Sequence, residues 1–344
     1  MEFLKANLPG MLICLLIAVP SYIAGKFFPL AGGPVIAILL GMLVATVFVN
    51  QGRCAGGIKF TSKKVLQYAV ILLGFGLDLG AVLKTGAWSL PVIVSTVSVS
   101  LLTAFILCKL MHIPARLAAL IGVGSSICGG SAIAAAAPVI AARDEEIGQA
   151  LSTVFFFNVL AALIFPHLGN FLGMSHDPHA FGLFAGTAVN DTSSVTAAAA
   201  TWDGMWGLGT ATLDEAVTVK LTRTLAIIPI CIGLSFFFTD AKSAGAEVGG
   251  KRILSMVPSF IVLFIVASLI TTLSVRVFNV EATLFKPLKE ISVFLIVNAM
   301  AAVGLNCNIV KLVKTGFKPV FLGLCCALLI TLVCLGVMQL LEIW

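Results

Sequence analysis

Residues able to do chemistry concentrate where an apolar run is interrupted, at Gly122-Val123-Gly124-Ser125-Ser126-Ile127-Cys128-Gly129-Gly130-Ser131. Greasy sequence flanks this stretch on both sides. A bilayer cannot satisfy loose backbone N–H and C=O groups, so irregular backbone at that depth must be buried in protein or line a cavity. Broken helices of this kind build binding sites near the midplane of many secondary transporters. A plainer reading is a stripe of small residues for close helix packing. The clustered hydroxyls favour binding and make Ser125, Ser126, Cys128, Gly129, Gly130 and Ser131 candidate substrate contacts.

A second polar cluster follows, with Thr187, Asn190, Asp191, Thr192, Ser193, Ser194 and Thr196 inside another apolar run. An acid at that depth faces a bundle interior or a cavity by default. Asp191 with Asn190 and Thr192 could carry a coupling proton or bind Na⁺ through hard oxygen ligands, while Ser193 and Ser194 could contact substrate. The same Asp also suits the cap of a helix that starts within the bilayer. Lys220 and Arg223 share one helix face. Facing inward they describe an anion site; facing outward they would snorkel to the interface or pair with Asp214 and Glu215. Asn158 interrupts a phenylalanine-rich run and needs buried hydrogen-bond partners. Asp78, beside Gly74, Gly76 and Gly80, is a further ion-coupling candidate near a membrane end. His167, His176 and His179 gather around one loop and read as solvated side chains rather than metal ligands.

The elements that must position these groups follow from composition. The chain has 344 residues, 60% hydrophobic and 10% charged, with a net charge of +6. Soluble domains carry about 25% charged residues, so this is an all-α polytopic membrane protein. The basic residues report topology, not nucleic-acid binding. The nine cysteines lie mostly in apolar runs and lack metal-ligand spacing, so no cofactor or disulfide framework is expected. Windows of about 20 apolar residues predict about eleven spans: 8–26, 33–50, 65–83, 89–111, 115–142, 147–173, 180–202, 215–238, 253–275, 288–306 and 318–341. The first imitates a signal peptide but lacks a persuasive cleavage site and reads as a retained span. Lys/Arg asymmetry puts the N-terminus in the cytoplasm, with Arg53, Lys59, Lys63, Lys64, Lys109, Arg116, Lys242, Lys251, Arg252, Lys311, Lys314 and Lys318 on that side. Arg143 falls on the opposite side, and the odd span count leaves the C-terminus outside. The 239–252 loop is the expected flexible link between halves.

Gly124-Ser-Ser-Ile-Cys-Gly-Gly-Ser resembles Gly186-Thr-Ala-Val-Asn-Asp-Thr-Ser, and Gly76-Leu77-Asp78 resembles Gly304-Leu305-Asn306. Inverted repeats must cross in opposite directions, so parity pairs the fifth span with the tenth, where Asn298, Gly304, Asn306 and Asn308 predict a second break. The expected organisation is a leading helix (1–30) and two inverted five-helix repeats (31–175 and 176–344) with crossed discontinuous helices.

The Gly-Ser-Ser-Ile-Cys-Gly-Gly-Ser-Ala-Ile run, the Gly-Thr-Ala-Val-Asn-Asp-Thr-Ser-Ser-Val stretch and Val219-Lys220-Leu221-Thr222-Arg223 resemble the YeiH family of bacterial inner-membrane proteins, often labelled sulfate exporters. The resemblance spans essentially the whole chain. It implies kinship with the bile acid/arsenite/riboflavin transporter superfamily, with core and panel domains and two crossing broken helices. The expectation is a secondary transporter, in the exporting direction, of a small anion such as sulfate, sulfite or an organosulfonate, coupled to H⁺ or Na⁺. Ser125, Ser126, Gly129, Gly130 and Ser131 would donate to the anion, Lys220 and Arg223 would supply charge, and Asn158, Asn298 and Asn306 would support the breaks. Membrane lipids and a second copy in a homodimer are the other expected partners. A passive anion channel is the competing reading. A membrane-embedded hydrolase using Ser126 or Ser131 would need a general base, yet no histidine lies deep in an apolar span and Gly-x-Ser-x-Gly is absent.

Overall fold

Long apolar runs satisfy their backbone internally only as helices, and every regular element among the described residues is helical. The computed structural model describes residues 2–28, 32–47, 52–174, 177–238, 258–306 and 316–344. His176, Asn308, the 239–252 loop and residues 311 and 314 lie outside the described residues. The helices are α1 (Glu2–Phe27), α2 (Gly33–Val47), α3 (Ala55–Phe60), α4 (Leu66–Gly74), α5 (Leu79–Met111), α6 (Ala115–Ser126), α7 (Gly130–Val139), α8 (Asp144–Phe171), α9 (Pro178–Ala188), α10 (Thr192–Trp206), α11 (Ala211–Thr224), α12 (Ile227–Phe237), α13 (Ser259–Arg276), α14 (Lys286–Asn306) and α15 (Phe317–Leu340). A π-helical stretch, Thr61–Val65, joins α3 to α4 in one rod. Seven described helical segments are long and apolar enough to cross a membrane.

The fifth and seventh predicted spans do not pass through the bundle. Each is a pair of short helices folded back on itself. In the first pair, a Cβ built on Gly124 of α6 would lie 2.8 Å from the side chain of Ile133 of α7. A continuous helix would separate those positions by about 13 Å. In the second pair, Phe181 of α9 stacks on Trp202 of α10 with ring centroids 4.1 Å apart, against about 30 Å for a straight helix. The bases agree with this. Arg116, at the start of α6, acts electrostatically on Glu146, just beyond the end of α7. His179, at the start of α9, meets Glu215 of α11 at 3.5 Å.

One full span, α8, separates the two hairpins. They therefore enter from opposite faces and meet tip to tip. Parity, applied to segments assumed to cross, had paired the fifth span with the tenth. Here α14 runs unbroken from Lys286 to Asn306, and the partner of the fifth segment is the seventh. Arg143 consequently moves to the lysine-rich face beside Arg116. Lys318 shares that face, donating to the Met111 carbonyl at 2.8 Å.

Two helix groups position the hairpins. The first holds α1, α2, α3–α4, α13 and α14. Glycine allows the close approach of α2 and α14: a Cβ on Gly41 would lie 2.5 Å from the Ala301 carbonyl oxygen, and one on Gly304 would strike the Ile38 carbonyl. The second group gathers the hairpins with α5, α8, α11, α12 and α15, and α10 packs across to α2 and α14. Caps fix the helix starts at the hairpin bases. Asp177 accepts from the His179 N–H at 2.8 Å, and Asp203 accepts from Thr212 and Leu213 at 3.0 and 2.9 Å. Asp78 caps α5 through Ala81 at 3.2 Å and pairs with Arg276 at 3.0 Å.

The hairpin geometry predicts that cysteines replacing Phe181 and Trp202 are joined by a short bifunctional thiol reagent in membranes, read as a mobility shift after proteolysis between them. A helix crossing the bilayer between these positions would give no cross-link.

Candidate functional site

The hairpin tips are Ile127–Gly129 and Val189–Asp191, and they meet beside Asn158, halfway along α8. Gly129 adopts φ +67, a left-handed conformation, and a Cβ there would lie 3.3 Å from Asn158 Nδ2 and 3.4 Å from Asp191 Cβ. Glycine alone suits both the dihedral and the space. Asn158, 2% exposed, accepts from the Asn190 N–H at 3.3 Å. Its Nδ2 and the Oδ1 of Asn190 are buried without a hydrogen-bond partner among the described residues.

Each tip leaves helix carbonyls with no partner inside their helix. Lys220 and Arg223 of α11, both 0% exposed, collect them. Lys220 Nζ donates to Ile127 O at 2.5 Å and Val189 O at 3.0 Å. Arg223 donates through Nε to Ser126 O at 2.6 Å and through Nη2 to Ser125 O at 3.0 Å. Its Nη1 reaches the Thr187 carbonyl and, at 3.4 Å, that of Val189. Cations at helix C-termini meet the negative end of each dipole. Aligned on Gly124 and Gly186, Ile127 falls on Val189, Gly129 on Asp191 and Ser131 on Ser193. The two carbonyls taken by Lys220 are therefore equivalent positions of the two hairpins. The sequence leaves open which way these cations face; here both are buried and their donors face carbonyls.

The other arms point the opposite way. Gly130 and Ser131 begin α7, and Thr192 and Ser193 begin α10. All four line a cavity of about 710 Å³ together with Asp191. Asp191 caps α10, accepting from the Ser193 N–H at 3.1 Å and from the Ser193 hydroxyl. The positive ends of two helix dipoles thus open on the cavity beside a single carboxylate. The cavity runs from the tips to α3–α4 and the end of α14, where Asn306 Nδ2 donates to Ser62 Oγ at 3.4 Å.

A family profile described as conserved hypothetical protein 698 matches residues 9–323. The chain is 55% identical to a UPF0324 membrane protein of Streptococcus mutans over 98% of each chain. It is 52% identical to another from Fusobacterium nucleatum over 98% of this chain and 99% of the relative. The chain belongs to the UPF0324 family. This UPF0324 protein is accordingly a membrane protein, as its helices require.

Of the residues expected at the site of this UPF0324 chain, Gly130, Ser131, Asp191, Thr192, Ser193 and Asn306 line the cavity. Ser125, Ser126, Cys128, Gly129, Asn158, Asn190 and Ser194 build the tips behind it, and the Ser126 hydroxyl turns back to Val123 O at 3.0 Å. Asp78 is a helix cap in an ion pair remote from the tips, and Asn298 lies mid-helix in α14 and not in the cavity wall. The sequence reading overlooked Lys59, Lys63, Gln67, Ser152, Phe155 and Phe156 in that wall. Spacing was the available signal: Lys59, Lys63, Gln67 and Val70 recur at helical intervals on one face.

Replacing Arg223 by Leu strands carbonyls of both tips, each costing about 1–3 kcal/mol when unpaired. The expected outcome is a stability loss of roughly 3 kcal/mol or more, measured as a lower unfolding midpoint in detergent. Arg223→Lys keeps the charge but loses the fork and should fall between. A wild-type midpoint for Arg223→Leu would remove the stapling role.

Proposed function

We propose that this protein is a secondary transporter of a small anion in the bacterial inner membrane. One observation carries the reading: two hairpins meet tip to tip inside the helix bundle, with the positive ends of α7 and α10 open on one cavity. Such helix ends attract anions, and paired discontinuous elements around a central site suit alternating access. The proposal makes Ser131 and Thr192 the hydroxyl donors. Asp191 is the acceptor for the coupling cation, H⁺ or Na⁺, because it is the carboxylate in the cavity lining.

The positive-inside rule orients the lysine-rich face toward the cytoplasm. Gly10 of α1 lies against Gly57 and Ile58 of α3, so the N-terminus shares that face. The cavity then reaches the cytoplasmic side. The opposite side is tied together by ion pairs. Lys289 of α14 holds Asp214 of α11 at 2.5 Å, and Arg276 holds Asp78. Breaking the first of these would let the hairpin group shift against α14 and expose the site to the other side.

Charge movement in proteoliposomes on a sensor surface tests this, offering sulfite, sulfate, alkanesulfonates and small carboxylates with and without pH and Na⁺ gradients. A saturable current altered by one gradient is the expected result, and Asp191→Asn should retain anion binding but lose the gradient dependence. Non-saturating flux indifferent to both gradients would identify a channel instead.

A further inference from the structure

We propose that the cavity takes an organic anion, its charged head held by Lys63 and its apolar body laid along Phe155, Phe156 and Phe260; this rests on the anion-transport reading above. Lys220 and Arg223 aim their donors at the tip carbonyls and neither lines the cavity, so a substrate there meets its charge partner on another element. Among the described residues the cavity lining contains two cations, Lys59 and Lys63, and one acid, Asp191. Lys63 lies within electrostatic reach of that acid, which sits at the tips with Ser131. Lys59 lies one turn nearer the mouth.

Helical spacing places Lys63 on the face of Lys59, Gln67 and Val70 that lines the cavity. Lys63 falls in the π-helical stretch Thr61–Val65. A π-turn widens the helix by one residue and is common at functional sites. Ser62 and Lys63 both line the cavity, between Lys59 on one side and Leu66 and Gln67 on the other. Asn306 ties Ser62 from α14 and fixes that face.

The rest of the wall argues for an organic substrate. Phe155 and Phe156 come from α8 and Phe260 from α13, with Leu66, Leu151 and Val303 between them. A hydrated inorganic oxyanion gains nothing from aromatic walls, whereas an alkyl or aryl body is desolvated against them. Binding sites for organic molecules combine such apolar lining with a few polar anchors. Lys220 from behind the tips and Lys63 from the cavity wall both act on the Asp191 carboxylate, and of these two Lys63 is the one that lines the cavity.

Binding to purified protein in detergent, by calorimetry, tests this separately from transport. The probes are inorganic sulfate and the methane-, ethane- and butanesulfonates. Affinity should rise along the alkyl series, by up to about fourfold per fully buried methylene, and sulfate should bind weakest. Lys63→Gln should weaken every sulfonate about tenfold or more, while Lys63→Arg restores binding. Phe156→Ala should flatten the chain-length slope and leave methanesulfonate nearly unchanged. Sulfate binding as tightly as butanesulfonate, or a Lys63→Gln protein with unaltered affinities, overturns the proposal even if transport is observed. Graded sulfonate binding without any flux would support this site and sink the transport reading instead.

Discussion

Everything at the centre of this molecule depends on two cations that satisfy carbonyls. A helix that stops inside a membrane leaves C=O groups that lipid cannot solvate, and a buried cation without partners costs several kcal/mol. Each problem solves the other when α11 runs between the hairpin tips. Lys220 and Arg223 take carbonyls from Ser125, Ser126, Ile127, Thr187 and Val189. Hydrogen bonds to ionised groups are among the stronger ones, and low polarity raises the cost of losing any of them.

That arrangement divides the hairpins electrically. Helices α6 and α9 bring their negative ends to α11, and α7 and α10 present their positive ends to the cavity. One helix thereby fixes the polarity of the site without lending it a side chain. The first helix group, welded at Gly41 and Gly304, supplies the opposite wall of the cavity through α3–α4, α13 and α14. The cavity lies between the two groups.

Much of this was legible in the sequence, and the failures are specific. The first break announced itself through clustered Gly and Ser, and the polar cluster around Asp191 stood out too, but the second break was expected at Asn298–Asn308 in the tenth segment. The similarity between Gly124-Ser-Ser-Ile and Gly186-Thr-Ala-Val marked the true partners, but crossing was assumed for segments whose length also fits a hairpin. Hydropathy counts apolar residues and is blind to a chain that turns back. Lys220 and Arg223 were legible as two cations on one helix face, yet the pattern of types gives a charge and neither its direction nor its partner. Here the partners are main-chain atoms that carry no sequence signature. Lys63 was hidden for the opposite reason. A lysine near a span's end reads as a topology signal, so the helical spacing that Lys63 shares with Lys59 and Gln67 was not taken for a cavity face.

The stapling of both tips by one later helix has a consequence for biogenesis. Residues leave the ribosome in order, so the first hairpin emerges well before Lys220 and Arg223 exist. Until α11 arrives, the carbonyls of Ser125, Ser126 and Ile127 have no charged donor, and exposing them to lipid is costly. The first hairpin therefore gains the charged partners of its tip only once α11 is in place. The bundle closes around its own centre, and α11 acts as the keystone that allows two half-spans to become permanent.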